Sequence, residues 1–213
     1  MSLGQRLISA NNTPVSISYI GTNSKTGFTL PQTFSSVSLG SAGFVIVGVI
    51  GQETGTLTGV SVGGNACSLL YESGSGIGSF WYGVTPGGTG NVVLSGSSAS
   101  MRMAIAQWNV NDFVNDALNY TGYALVSGDP HTITPTGQPE KGWSVLAMTQ
   151  PGNANGFTAW TNMTQHWDAN FTGAASRPYS VASTSVVGTT SGTFTSDLST
   201  GAAPYSHVKL LIR

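Results

Sequence analysis

Apolar side chains recur along this chain mostly with a period of two. Val15-Ser16-Ile17-Ser18-Tyr19 alternates apolar and small polar residues, the signature of a half-buried strand. Phe44–Ile50 is continuously apolar and rich in β-branched residues, which predicts a central strand covered on both faces. Val60–Val62 and Ala66–Leu70 flank Gly63-Gly64-Asn65, residues that supply the positive φ of a tight hairpin turn. The aromatic-rich run Ser79–Val84 ends at the turn Pro86-Gly87-Gly88. Further strands are predicted over Asn91–Ser95, Met101–Trp108, Trp143–Met148 and Tyr179–Val187. The chain closes on His207–Arg213, where Val208, Leu210 and Ile212 share one face and His207, Lys209 and Arg213 the other. The one helix candidate, Asp112–Leu118, is too short to be stable alone. Short strands punctuated by Gly and Pro turns predict an all-β fold, an antiparallel β-sandwich of jelly-roll type with little or no helix. A single such domain is expected over residues 15–213, after an N-terminal arm over 1–14, and no repeat of fixed period is visible.

Composition narrows the functional classes. Charged residues make up 7% of the chain, against about 25% in an ordinary soluble domain. Ser (28) and Thr (25) together supply a quarter of the 213 residues, and Gly another 29. With 39% hydrophobic residues and a net charge of −1, the chain is not of the disordered type. Seven scattered cations form no basic stripe, so no nucleic acid is expected as a partner. No apolar run approaches the about 18 residues of a membrane helix, and no membrane insertion is expected. Met1–Arg6 has no secretory pattern, which suggests synthesis in a cytoplasm. Cys67 is the only cysteine, so no intrachain disulfide forms and packing must supply the stability.

Few residues could carry chemistry. Asp129-Pro130-His131 and His166-Trp167-Asp168 place a carboxylate two residues from an imidazole, hence on one face of a strand. Such a pair could orient a base for a nucleophile, or form half of a metal site. Their polar flanks favour surface pairs in turns, and no nucleophile elbow or zinc-binding His motif accompanies them. Gly74–Gly78 lacks the Lys-Ser/Thr of a phosphate loop. Asn109–Asp116 lacks calcium-loop spacing and reads as turn. No catalytic residue, metal or cofactor is therefore expected. Five Trp could include sugar-stacking platforms. Trp160 and Trp167, in Asn- and Thr-rich surroundings, are the surface candidates.

Several segments together resemble a β-sandwich protein encoded in the structural modules of tailed phages and prophages. They are Val60–Leu70, Phe80–Leu94, Met101–Val110, Trp143–Met148, Trp160-Thr161-Asn162-Met163-Thr164 through Asp168, and Tyr179–Ser183. The resemblance implies a virion structural protein: a capsid decoration or cement protein, a head fibre or a tail-associated adhesin. It brings no catalytic residues. The implied partners are the chain itself, as a homotrimer, and a major capsid or tail protein. The rival expectation is a module that binds a host-surface glycan or receptor through Trp160 and Trp167.

Overall fold

In the computed structural model, residues 16–52, 55–73, 78–98, 101–111, 120–125, 130–134, 143–150, 158–170, 178–186, 193–198 and 206–212 are described. These residues contain strands and turns and no helix. The expected helix over Asp112–Leu118 and the arm over 1–14 lie outside them. Among the described residues, nine strands form the first half: β1 (Ser16–Phe28), β2 (Gln32–Gly40), β3 (Gly43–Gln52), β4 (Gly55–Val62), β5 (Asn65–Ala66), β6 (Ser68–Glu72), β7 (Gly78–Thr85), β8 (Gly88–Ser98) and β9 (Met101–Asn111). Eight form the second: β10 (Tyr120–Leu125), β11 (His131–Ile133), β12 (Trp143–Gln150), β13 (Thr158–Thr161), β14 (Thr164–Asn170), β15 (Pro178–Val186), β16 (Phe194–Leu198) and β17 (Ser206–Ile212).

Every pairing is antiparallel. The strands make four sheets, in the orders β1-β9-β3-β7-β6, β2-β8-β4-β5, β10-β17-β12-β15-β14 and β11-β16-β13. The expected all-β, antiparallel sandwich is present, built among the described residues from two pairs of sheets. The β2 sheet covers one face of the β1 sheet through Phe34, Leu39, Val62 and Leu94 against Val45, Val47, Val49 and Ile105. The opposite face of the β1 sheet, with Ile46, Phe80, Ala106 and Trp108, packs on Leu146, Met148, Val181 and Leu210 of the β10 sheet. The far face of the β10 sheet packs through Val145 and Leu211 on Ile133 and Phe194 of the β11 sheet. The result is a stack of four layers, with two inner sheets whose central strands are buried on both sides.

This stacking explains the continuous apolar run of β3. Alternate side chains point to opposite faces, so Val45, Val47 and Val49 enter one core while Ile46 and Ile50 enter the other. The predicted hairpin is present: Gly63 (φ 56°) and Gly64 (φ 90°) turn β4 back into β5. Immediately afterwards the chain changes sheet, and β6 pairs with β7 on the edge of the inner sheet.

The two halves repeat one winding. Replacing β1, β9, β3, β7 and β6 by β10, β17, β12, β15 and β14 reproduces the order of the inner sheet. Replacing β2, β8 and β4 by β11, β16 and β13 reproduces the outer one. Several contacts across the seam between the inner sheets are reciprocal as well, although β1 meets β12 and β15 more closely than β10 meets β3 and β7. β3 meets its own counterpart β12, β1 meets β14, and β6 meets β10. Likewise β7 meets β17, and β9 meets β15 through the Tyr179 hydroxyl on the Arg102 carbonyl at 3.4 Å. Reciprocal contacts of this kind mark a two-fold relation between like units.

Close approach at the centre of the seam depends on Gly48 of β3. A Cβ built there would lie 2.5 Å from the Met148 sulfur, 3.0 Å from Phe80 and 3.1 Å from Trp108. Gly48→Val should therefore lower stability by about 1–3 kcal/mol, the usual cost of overpacking. Met148→Ala in that background should recover part of the loss, as measured by urea denaturation. A Gly48→Val protein as stable as wild type would show that the seam is loosely packed.

Candidate functional site

Among the described residues, the candidate polar side chains meet in three places, and each is fixed by strand register. The first lies between the inner and outer sheets of the second half. Lys209 of β17 is fully buried and donates from Nζ to the His131 carbonyl (2.7 Å) and to Ser196 Oγ (2.8 Å). Burial pulls the amine down to about 7. The His131 imidazole is lowered to about 4, by burial first and the nearby Lys209 charge second. An amine near neutrality beside a serine hydroxyl has the make-up of a Ser–Lys nucleophile pair. Here both partners are 0% exposed, so a substrate has no approach to either.

The face of β17 that carries Lys209 therefore points into a core, and the reason lies in the four-layer stack. Leu211 shares that face and packs on Ile133 and Phe194. The presence of Leu211 beside Lys209 in the alternation was the sequence signal that both faces of β17 are covered.

The second place is the seam between the halves. His166 Nε2 lies 2.6 Å from Ser183 Oγ, and the ring stacks on Tyr19 of the first half, with centroids 4.2 Å apart and planes 7° apart. The Tyr19 hydroxyl is hydrogen-bonded to Thr22 at 2.6 Å. Burial lowers the His166 pKa and raises that of Tyr19. His166 does not join Asp168. A bulge between Gln165 and Trp167 breaks the two-residue alternation, and Asp168 accepts from Gln165 Nε2 at 3.4 Å instead. Burial raises the Asp168 carboxyl, an effect opposed by the Gln165 hydrogen bond. Imidazole on hydroxyl is the contact of a nucleophile with its base. Ser183, however, sits mid-strand between Leu146 of β12 and Thr164 of β14. Backbone amides at such a position serve the sheet ladders rather than a developing oxyanion. The arrangement ties two halves together across an aromatic stack.

The third place joins the two Trp candidates. Trp160 Nε1 donates to Ser180 Oγ (2.9 Å), and that hydroxyl donates to the Trp167 carbonyl (3.2 Å). Both rings are partly buried, and Trp167 packs against the seam core. The hydroxyl of Ser180 on β15 holds the indole N–H of Trp160. Sequence reasoning missed Ser180, Ser183 and Ser196, since nothing separates them from the other serines of so Ser-rich a chain.

The remaining candidates resolve simply. Asp129 lies outside the described residues. Asn109 clamps the turn before β3: its Oδ1 accepts from the Ser41 amide (3.0 Å), and its Nδ2 donates to the Ser41 carbonyl (2.9 Å). The later part of that Asx-rich run, residues 112–116, is outside the described residues. Among the described residues, no three His, Cys, Asp or Glu converge on a metal-sized site. Burial lifts the Cys67 thiol to about 11, which leaves it a core packing group rather than a nucleophile at neutral pH.

With the interior accounted for, the outer faces are what the molecule presents. The strands of the β2 sheet contain no ionisable residue. Their exposed positions include Thr33, Ser35, Thr56, Thr58, Asn91 and Ser95. The opposite end of the stack carries a threonine ladder. Thr132 and Thr195 hydroxyls meet at 2.9 Å and those of Thr134 and Thr193 at 3.4 Å, while Thr161 is the register partner of Thr195.

Two outcomes follow. Trp160→Phe keeps the ring and removes the N–H, so it should cost about 1 kcal/mol in urea denaturation without changing the fold. His131 makes stability fall as pH drops from about 6.5 to about 4. In that window the unfolded chain binds a proton that the folded chain refuses. His131→Asn should flatten that part of the stability profile, and an unchanged profile would place the titration elsewhere. Comparison with family models, curated proteins and solved structures returns no match for this chain.

Proposed function

We propose that this chain is a non-enzymatic structural protein of a tailed-phage virion, which decorates or cements a capsid or forms part of a head or tail fibre. The observation that carries this reading is the distribution of polarity. The groups capable of acid–base chemistry that cluster, His131, His166 and Lys209, are turned into cores and seams, while a whole outer sheet is built without an ionisable residue. Short hydroxyl side chains lose little rotamer entropy when covered, and no ion has to be desolvated. A surface of that kind suits permanent packing against other subunits.

The winding supports the same reading. In each half the first strand pairs with the last, the second with the next-to-last, and the third with the strand before those. This is the order expected of a jelly roll, an architecture found in capsid and lectin domains. Assembly as a homotrimer on a major capsid or tail protein belongs to this proposal. So does a location in the virion after synthesis in a host cytoplasm.

Light scattering of the full chain at micromolar concentration should give three times the 21.9 kDa chain mass. Antibody labelling of particles induced from the source strain should decorate heads or tails. Unlabelled particles together with a monomeric mass would overturn the proposal. A glycan bound by wild type and lost in Trp160→Ala or Trp167→Ala would transfer the role to host-glycan recognition.

A further inference from the structure

The two halves share a buried peg, and they make it from different chemistry. In the first half, Gln107 of β9 is fully buried and donates from Nε2 to the Ser38 carbonyl of β2 at 3.2 Å. In the second half, Lys209 of β17 donates from Nζ to the His131 carbonyl of β11 at 2.7 Å. β9 and β17 are counterparts, as are β2 and β11. Each peg thus runs from the last strand of a half, across the sandwich, to a carbonyl of its second strand. The fold needs a donor there. The first half meets that need with a neutral amide, so nothing in the winding requires an ionisable group.

We propose that Lys209 is a proton-operated latch, which holds the outer β11-β16-β13 sheet on the inner sheet while neutral and loosens it when protonated, leaving the first half insensitive. A neutral amine has two N–H donors and one lone pair, which the His131 carbonyl and the Ser196 hydroxyl can satisfy. An ammonium has three donors, and among the described residues only those two partners bond it. It would also bring a charge into the core, where among the described residues no carboxylate pairs with it.

Among the described residues, the surrounding ionisable groups do not offset that charge. On β11, His131 is a base held neutral down to about 4. On β16, Asp197 follows inward-facing Ser196 and is exposed on the outer face. The described residues of β12 and β13 include no ionisable group. On β10, Tyr123 is the register partner of Lys209, and on β17 itself the nearest is His207; the side chains of both lie outside the described residues.

The sign follows from the same geometry. Burial holds the amine at about 7, against 10.5 when free. Opening the outer sheet lets it protonate at any pH between those values. Opening is therefore favoured as pH falls from about 10 towards 7, by up to tenfold per unit for one proton.

Hydrogen exchange on the full chain at pH 9.5, 8.5 and 7.5 tests this, with rates corrected for intrinsic pH dependence. Protection at His131–Ile133 and Phe194–Leu198 should fall by up to tenfold per unit, while that of β2, β4 and β8 stays constant. Lys209→Gln, which copies the peg of the other half, should abolish the dependence. Gln107→Lys should create it in the first half. Equal pH dependence in both outer sheets of the wild type, or dependence that survives in Lys209→Gln, overturns the proposal.

Discussion

The central strands of two five-stranded sheets in this molecule have no face in water, and the rest of the structure is arranged around that constraint. Their strands must be apolar on both sides, as β3 and β12 are. Each sheet then needs a cover on one face and a partner on the other. The outer sheets supply the covers, and each inner sheet is the other's partner. Apolar burial contributes on the order of 25 cal/mol per Å², and here it acts across three successive interlayer cores. With one cysteine, half-buried and unpaired, no covalent staple replaces it.

The middle core carries the symmetry. Because β3 meets β12 and several flanking contacts are reciprocal, the seam resembles a homodimer interface whose two subunits share one chain. The departures from symmetry are then the informative residues. Gln107 and Lys209 perform the same mechanical task, yet only one of them titrates. Tyr19 and His166 stack across one margin of the seam, while at the opposite margin the Tyr71 ring of β6 lies against Gly122 of β10 and leaves no room for a Cβ there. In both cases an aromatic ring closes the edge, but only the first also holds a hydroxyl–imidazole hydrogen bond.

The elements were legible in the sequence because strand periodicity is a local signal. Phe44–Ile50, the Gly63-Gly64 hairpin and the closing strand each carry their evidence within ten residues. The stacking was not legible. A strand buried on both faces by one sandwich and one buried between two sandwiches have the same composition. The repeat was hidden because the halves share winding rather than residues: GFVIVGVIGQ in β3 answers to WSVLAMTQ in β12. Trp160 looked exposed among polar neighbours, since nothing in its local sequence announces Ser180, twenty residues on. The His166–Asp168 spacing failed for a similar reason: a bulge imposed by pairing with β15 cannot be read from β14 alone.

The central claim is that one apolar seam makes the two halves a single cooperative unit. Native-state hydrogen exchange at the central strands tests it most directly, by comparing the opening free energies of the amides of Val45–Val49 in β3 and Val145–Thr149 in β12. The account predicts that both sets exchange last and through the same global opening, with one free energy and one denaturant dependence. Two distinct free energies, with one inner strand exchanging while its counterpart stays protected, would mean that the halves fold separately and that the seam is incidental.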